Sequence, residues 1–136
     1  MAYEGGCYCK RVRYVAEGEP AFKGECCCRE CQYIAGGAPN FFMLMPLPSF
    51  RYVKGEPKRF TRDDISNPVT REFCEACGTH LTTRSPALPH AVILKVGTLD
   101  NPMVYGGPAV AINVADKQSF HLIAEGVATF DRLPPM

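Results

Sequence analysis

The chemistry that this sequence can carry lies in its eight cysteines, which fall into three clusters along the chain. The clusters are Cys7 with Cys9, the stretch at residues 26–31, and Cys74 with Cys77 followed by Gly78. Clustered cysteines in a reducing compartment usually hold metal, because lasting disulfides are rare there. All-thiolate tetrahedral sites favour zinc or iron, and zinc is predicted here because the trailing Cys-Pro of iron–sulfur proteins is missing.

Two of the clusters can together complete one closed site. The segment Cys74-Glu75-Ala76-Cys77-Gly78 is typical of a zinc knuckle, a tight turn that directs two thiolates at one ion. Residues two apart in an extended segment point to the same side, so Cys7 and Cys9 can supply the other two ligands. Four closed ligands mark a structural zinc. The predicted ligands of this structural zinc are Cys7, Cys9, Cys74 and Cys77.

The middle cluster predicts a second, more open site. Cys26 and Cys28 share one side of an extended segment, and Cys31 can fold back to the same ion from the start of a short helix. Three protein ligands leave a fourth position for water or a substrate atom, as in catalytic zinc sites. We therefore assign Cys26, Cys28 and Cys31 to a second, catalytic zinc, which can be partly occupied. In the alternative, this zinc is also structural and takes its fourth ligand from Cys27, a histidine or water.

Cys27 is the one cysteine left without an ion. Strand alternation turns its side chain away from Cys26 and Cys28, so we expect an ordinary buried thiol. A reactive thiol beside a metal is the alternative. A wider alternative is that the cysteines are core residues or disulfides of a secreted protein, but bridges between cysteines one or two residues apart would be strained.

The elements that must position these cysteines are predicted to be short strands. Glycine and proline, at 12 residues each, break the sequence at short intervals and leave little room for long helices. Segments of strand character lie at residues 11–15, 41–45, 50–53, 59–62, 70–73, 81–84, 92–99 and 110–114. One short helix is expected at residues 30–34, ended by Gly36-Gly37. The sequence predicts a mainly β, antiparallel, zinc-stabilised domain with at most one short helix.

The overall composition favours one globular domain over residues 1–136. A hydrophobic fraction of 46% and a charged fraction of 21% are ordinary for a folded domain of this length. The net charge of +1 supplies no field that would gather nucleic acid. We find neither a secretory signal nor an apolar run of membrane-spanning length, so we expect a cytoplasmic protein that binds neither nucleic acid nor membrane. Edge strands would permit a dimer without requiring one.

The three histidines stand outside any metal motif. His80 follows the knuckle, and we expect it to pack or to lie at the surface. His90 and His121 have no recognisable motif around them. Serine-nucleophile, phosphate-loop and paired-carboxylate signatures are missing as well, which argues against hydrolase and kinase classes.

The cysteine motifs form an ordered set. They are Gly6-Cys7-Tyr8-Cys9 with Val12-Arg13-Tyr14, Cys26-Cys27-Cys28-Arg29-Glu30-Cys31, and Phe73-Cys74-Glu75-Ala76-Cys77-Gly78-Thr79. Supporting segments are Lys54-Gly55-Glu56-Pro57, Val96-Gly97-Thr98-Leu99-Asp100, and Asp116-Lys117 ahead of Glu125-Gly126. Over nearly the whole chain, this set resembles the glutathione-dependent formaldehyde-activating family.

The resemblance implies a β-tent fold, shared with centromere protein V, in which the outer cysteine pairs hold a structural zinc and the middle trio holds a second. It also implies a carbon–sulfur lyase or carrier that promotes formation of S-hydroxymethylglutathione from formaldehyde and glutathione, or related thiol and aldehyde adduct chemistry. The partners would be a small thiol such as glutathione and an aldehyde. Arg29 or Lys117 could anchor the anionic thiol, although solvated surface charge is the simpler interpretation. The alternative class is a non-catalytic, zinc-stabilised binding module.

Three positions depart from the family pattern. Cys27 stands where the family commonly has a histidine between the first two cysteines of the trio. Ala111 and Asn113 stand where it often has a histidine and a tryptophan. The pocket beside the second zinc is therefore expected to differ from that of the family.

Overall fold

The computed structural model describes residues 2–135, in which eleven strands build two sheets. The strands are β1 (Ala2–Gly6), β2 (Arg13–Glu17), β3 (Phe22–Cys26), β4 (Asn40–Pro46), β5 (Phe50–Lys54), β6 (Lys58–Thr61), β7 (Thr70–Phe73), β8 (His80–Arg84), β9 (Ala91–Lys95), β10 (Val110–Ile112) and β11 (Ala128–Thr129). The helix α1 (Arg29–Ile34) is the one α-helix of this described part. Four 3₁₀ helices lie at Leu47–Ser49, Val96–Thr98, Pro102–Tyr105 and Val114–Asp116. The prediction of a mainly β fold with one short α-helix is confirmed.

The sheets differ in size and in strand direction. A small sheet has the order β1-β2-β5, and a large one the order β11-β10-β3-β4-β9-β8-β7-β6. Most neighbouring strands are antiparallel, but β10 runs parallel to both β3 and β11. Consecutive parallel strands need a crossover connection, and residues 113–127, which include the 3₁₀ helix Val114–Asp116, supply it between β10 and β11. The large sheet is therefore mixed at this edge rather than antiparallel throughout.

The two faces of the large sheet carry different residues. Met43 and Met45 of β4 are fully buried in a core shared with Tyr14 of the small sheet. Phe42, one residue before Met43, points to the opposite face and packs in a second cluster with Cys31 of α1. Side chains alternate between the faces of a strand, so β4 separates the core between the sheets from the side covered by α1.

A buried carboxylate joins the two sheets. Glu72 of β7 has no exposed side-chain surface, and its carboxylate accepts hydrogen bonds from Tyr52 of β5 (2.9 Å) and Thr82 of β8 (2.6 Å). Arg59 and Arg84 add charge-assisted bonds at 2.7 and 3.1 Å. Burial alone would raise the pKa of Glu72, but these bonds lower it below its ordinary value. The fully paired carboxylate fixes how the small sheet sits on the large one.

Several element boundaries differ from the sequence prediction. The strand expected at residues 92–99 ends at Lys95, because the next residues form a 3₁₀ turn in which Thr98 Oγ1 donates to the Lys95 carbonyl at 2.7 Å. The strands β1, β3 and β11 were not predicted. In β3, Gly24 weakens the strand signal, yet a Cβ there would come within 2.9 Å of the Phe22 and Phe42 rings.

Helices of the length and apolar character needed to cross a bilayer do not occur in the part of the chain that the structure describes.

Candidate metal centres

The first candidate centre brings together two cysteine pairs that are far apart in sequence. Cys7 and Cys9 follow β1, and Cys74 and Cys77 lie in the turn between β7 and β8. The four Sγ atoms lie within 4.8 Å of one another, with Cys7 to Cys9 at 3.6 Å and Cys9 to Cys74 at 3.7 Å. A tetrahedral zinc with Zn–S bonds of about 2.3 Å places neighbouring sulfurs about 3.8 Å apart. The cluster therefore has the spacing of a four-thiolate metal site.

Backbone and hydroxyl groups orient the first cluster. The Val12 N–H donates to Cys7 Sγ at 3.2 Å. In the knuckle, the Gly78 N–H donates to the Cys74 carbonyl at 2.7 Å, and Gly78 has the positive φ of 78° that glycine accepts without strain. The Thr79 hydroxyl accepts from the Tyr8 N–H at 3.1 Å and lies 3.2 Å from Cys77 Sγ. The hydroxyl can thus donate its proton to the sulfur, and the contacts with Thr79 lower the pKa of Cys77.

The second candidate centre is local in sequence. Cys26 ends β3, Cys28 is the N-cap of α1, and Cys31 lies in the first turn of that helix. Their Sγ atoms also lie within 4.8 Å of one another. The Cys31 N–H donates to Cys28 Sγ at 3.3 Å, so the sulfur serves as the helix cap while facing the cluster. This trio, like the first cluster, can hold a metal ion.

The sulfur spacing of the second cluster is tighter than that of the first. Cys28 Sγ and Cys31 Sγ are 3.0 Å apart, against the edge of about 3.8 Å in a zinc tetrahedron. Hydrogen bonds from Cys28 and Cys31 lower the pKa of Cys26, and those same contacts raise the pKa of Cys31. Asn113 adds a hydrogen bond from Nδ2 to Cys26 Sγ at 3.3 Å. An ion at this cluster would have to push Cys28 and Cys31 apart, whereas the first cluster needs little adjustment.

The structure places Cys27 outside both clusters. Its side chain is fully buried, its N–H donates to the Ile112 carbonyl at 3.0 Å, and its own carbonyl accepts from Gln32 Nε2 at 2.9 Å. Burial, followed by the negative charge of Glu25, raises the pKa of Cys27 to about 11. These are the properties of an inert buried thiol.

A cavity of about 300 Å³ opens where α1 ends and β4 begins. Among its lining residues are Ile34, Asn40, Phe41, His80 and Lys95. Lys95 Nζ and His80 Nδ1 are, within residues 2–135, the two buried side-chain nitrogen or oxygen atoms that lack a hydrogen-bond partner. Both therefore line the same cavity with unmet hydrogen-bonding capacity.

Lys95 is a functional candidate that the sequence interpretation missed. It is only 8% exposed, and burial lowers the pKa of its ammonium to about 8, against the opposing influence of the Cys31 thiol. The sequence did contain one indication of this burial. Lys95 lies inside the apolar stretch at residues 91–96, whereas a surface lysine usually has polar neighbours. That signal says nothing about which groups the ammonium faces in the fold.

The predicted cations and histidines have other surroundings. Arg29 is exposed, donates to Gln32 and stacks its guanidinium 5.0 Å from the Tyr33 ring centre, while Lys117 is exposed. His80 stacks on the Phe73 ring with 5.6 Å between ring centres, which fits the packing role expected of it. His121 is buried, and its Nδ1 accepts from the Gln118 N–H at 3.0 Å.

A comparison with protein-family models identifies the chain. The model described as "Glutathione-dependent formaldehyde-activating enzyme" matches residues 2–116, a stretch that includes both cysteine clusters and Lys95. The chain belongs to this family. A search among curated proteins found no significant match to the whole sequence.

One solved structure has a fold similar to that of this chain. The crystal structure of a Rhodobacter sphaeroides protein superposes on this family member with a TM-score of 0.60 at 21% sequence identity. The alignment covers 77% of this chain and 96% of the other. At that identity the likeness concerns the fold alone.

Proposed function

We propose that this chain binds one zinc ion at each cysteine cluster and uses the second to promote the addition of a thiol to an aldehyde. The reaction would be the formation of S-hydroxymethylglutathione from glutathione and formaldehyde, which is a carbon–sulfur lyase activity in the reverse sense. The supporting observation is the contrast between the clusters, since one offers four thiolates and the other offers three, which leaves one coordination position for a substrate atom. Family membership supports the choice of thiol and aldehyde.

The donor atoms fit zinc at both clusters. Thiolates are preferred zinc ligands, and three of them leave one coordination position for a substrate atom. When bound there, zinc would hold a substrate thiol in its ionised form and offer a positive centre to an aldehyde oxygen. Three thiolates give that centre a net negative charge, so it would be a weaker Lewis acid than a zinc held by neutral histidines. We therefore propose modest catalysis or carriage of the adduct.

The residues of the chain would position the reactants. Cys26, Cys28 and Cys31 would hold the metal, and Asn113 would fix the orientation of the Cys26 sulfur through its hydrogen bond. Binding of both reactants at the cluster would keep the aldehyde next to the thiol sulfur, which converts a bimolecular encounter into a local one. A carbon–sulfur bond then forms, the carbonyl π electrons move to oxygen, and the proton lost by the thiol ends on that oxygen.

A reducing compartment suits this function. The chain has eight free cysteines, and seven of them must stay reduced to bind metal in this proposal. We accordingly place the protein in the cytoplasm, where glutathione also keeps thiols reduced.

The test compares two neighbouring cysteines. Cys28→Ser removes a ligand but keeps an oxygen that can cap α1, so the helix should survive. Cys27→Ala is the matched control, because that thiol lies outside the cluster. Elemental analysis should give two zinc ions per chain in wild type and in Cys27→Ala, and one in Cys28→Ser. Exchange NMR with ¹³C-formaldehyde and glutathione should show faster exchange than a protein-free blank only for the proteins that hold two ions.

The same measurements separate the alternative function. A non-catalytic binding module would leave the exchange rate at that of the blank in wild type, however much zinc is bound. Retained acceleration in a folded Cys28→Ser protein would show that the second cluster is not the reacting site.

A further inference from the structure

The unpaired ammonium of Lys95 is the least expected group in the molecule. A buried lysine normally has a carboxylate or carbonyl partner, because an ammonium without one loses its hydration without compensation. Lys95 Nζ has no hydrogen-bond partner among the described residues, although the residue is only 8% exposed. The thiols of Cys26, Cys28 and Cys31 supply negative charge near it without a hydrogen bond, so the ammonium retains donor capacity for an acceptor in the cavity.

Strand alternation fixes the side of the sheet on which Lys95 lies. In β9, Val92 and Leu94 are fully buried in the core between the sheets. Ile93 packs in the cluster on the opposite face, together with Cys26 and Cys31. Lys95 is two residues beyond Ile93, so it belongs to the same face as the second cysteine cluster.

The cavity at Lys95 adjoins that cluster through two elements. Its wall includes Ile34 and Ala35, at the end of the helix whose first turn carries Cys31. It also includes Asn40, which is the register partner of Cys26 across β3 and β4. The elements that carry Cys26 and Cys31 thus also form part of the cavity wall, although none of the three cysteines lines it.

His80 adds a second polar group to the same wall. Its Nδ1 is buried and has no partner, and its ring is held against Phe73 by stacking. Two unpaired nitrogens on one cavity wall suit an oxygen-bearing group that accepts hydrogen bonds from both. Of the common anionic groups, a carboxylate matches both this donor pair and the chemistry of a small biological thiol.

We propose that this cavity binds a carboxylate of the thiol substrate through Lys95 Nζ, with His80 Nδ1 as a second donor, while the thiol sulfur reaches the second metal cluster. The sulfur end of this arrangement rests on the proposed function, whereas the carboxylate end does not. The cavity thereby selects acidic thiols such as glutathione over neutral ones. Lys95 is a binding residue in this scheme and takes no part in proton transfer.

The test uses a ligand whose sulfur cannot bind as a thiolate. S-methylglutathione keeps both carboxylates but blocks the thiol, and its dimethyl ester lacks free carboxylates as well. Titration calorimetry on the zinc-loaded protein should show that S-methylglutathione binds wild type and that Lys95→Met weakens this binding roughly tenfold to a hundredfold, the range for a charge-assisted hydrogen bond. The dimethyl ester should bind both proteins equally weakly.

Lys54→Met is the matched control, since Lys54 is an exposed lysine of β5 with no place in the cavity. It should change the affinity for S-methylglutathione by less than about twofold, as for an exposed charge. Lys95→Met should also fold, because methionine keeps the apolar stem and removes only the unpaired charge. If it does not fold, Lys95→Gln, which keeps a polar tip without charge, gives the same test.

The outcomes separate this proposal from the proposed function. If glutathione and S-methylglutathione bind wild type equally and both lose affinity in Lys95→Met, the carboxylate site stands and thiol binding at the metal fails. If glutathione binds more tightly than S-methylglutathione by the same factor in both proteins, and Lys95→Met changes neither affinity, the carboxylate site is overturned. It is also overturned if wild type does not bind S-methylglutathione, or if Lys95→Met loses zinc while that affinity is unchanged.

Discussion

Asn113 donates a hydrogen bond from Nδ2 to Cys26 Sγ at 3.3 Å, and it does so from a left-handed backbone conformation with φ of 54°. Few residues other than glycine accept this conformation, and asparagine is one of them. The side chain and the backbone of Asn113 therefore both contribute to the second cluster. They turn the chain after β10 and direct an amide toward the second cluster.

Asn113→Gly and Asn113→Ala should separate these two roles. Glycine keeps the left-handed turn and loses the hydrogen bond, so the second zinc should bind roughly tenfold more weakly while the fold is retained. Alanine loses the bond and also strains the backbone, which should cost about 1 kcal/mol or more of stability relative to glycine. Competition with a coloured chelator measures the first effect, and urea unfolding measures the second. Unchanged zinc affinity in Asn113→Gly would contradict a role for this amide.

The two clusters should release metal in a fixed order. The second has three ligands and two sulfurs 3.0 Å apart that an ion must separate, whereas the first already has the spacing of four-coordinate zinc. Stepwise addition of a chelator, followed by elemental analysis, should therefore remove one ion per chain while far-UV circular dichroism is unchanged. Removal of the second equivalent should coincide with unfolding. Simultaneous loss of both ions would be the contrary result.

Cys74→Ser should unfold the protein. Cys74 belongs to the first cluster and is buried in the core, and a metal bound at this cluster contributes directly to folding. Size-exclusion chromatography and circular dichroism of the purified variant test this. A folded Cys74→Ser chain that still holds two zinc ions would mean that the four-cysteine site is wrong.

Low pH should lower the free energy of unfolding, in part because Glu72 becomes protonated. The hydrogen bonds from Thr82, Arg59 and Tyr52 keep the pKa of this carboxyl below its ordinary value despite its burial. A depressed folded-state pKa adds stability above the unfolded pKa of about 4.3, and that stability is lost as pH falls through the folded value. Glu72→Gln should therefore cost about 3 to 5 kcal/mol at pH 7, and the difference from wild type should shrink below about pH 4.

Urea unfolding of both proteins between pH 7 and pH 3.5 measures this difference, and loss of zinc in acid affects the two alike. Glu17→Gln is the control, because Glu17 pairs with Arg51 at 3.4 Å on the surface. It should cost less than about 1 kcal/mol at any pH. A Glu72→Gln difference that stays constant with pH would show that the ionised carboxylate is not the stabilising species.

Cys27 should be the last cysteine to be alkylated. Its thiol is fully buried and its pKa is raised to about 11, so the reactive thiolate is scarce and shielded. After partial chelation, peptide mass spectrometry of iodoacetamide-treated protein should find label on Cys28 and Cys31 before Cys27. Early labelling of Cys27 would identify it as a reactive thiol.

The sequence was most informative where the chemistry depends on short spacing. Cys74 and Cys77 lie close because a knuckle is a local turn, and Cys26 and Cys28 share one cluster as strand alternation predicts. The structure also places Cys7 and Cys9 beside the knuckle, where they were expected because each pair alone supplies too few ligands for a closed site. Metal binding by these four cysteines stays a prediction.

The remaining features depend on tertiary placement. Asn113 reaches Cys26 only because the long connection after β9 brings β10 beside β3. The role proposed for Lys95 depends on the face of the large sheet on which its side chain lies and on helix α1, which covers that face. Neither the contact of Asn113 with Cys26 nor the placement of Lys95 corresponds to a periodicity or a motif in the sequence. The strands β1 and β3 escaped notice for a different reason, since glycines at Gly5, Gly6 and Gly24 weaken strand propensity while close neighbours require them.

The first cluster spans a sequence separation of 65 residues between Cys9 and Cys74, whereas the second lies within a single short stretch ending at Cys31. A chain emerging from the ribosome completes the trio well before it exposes the knuckle. The growing polypeptide therefore offers zinc the site with fewer ligands first, and the site that closes the fold comes last. The three-cysteine cluster is thus available first during synthesis, yet it should hold its metal less tightly in the finished protein than the four-cysteine cluster, which is completed last.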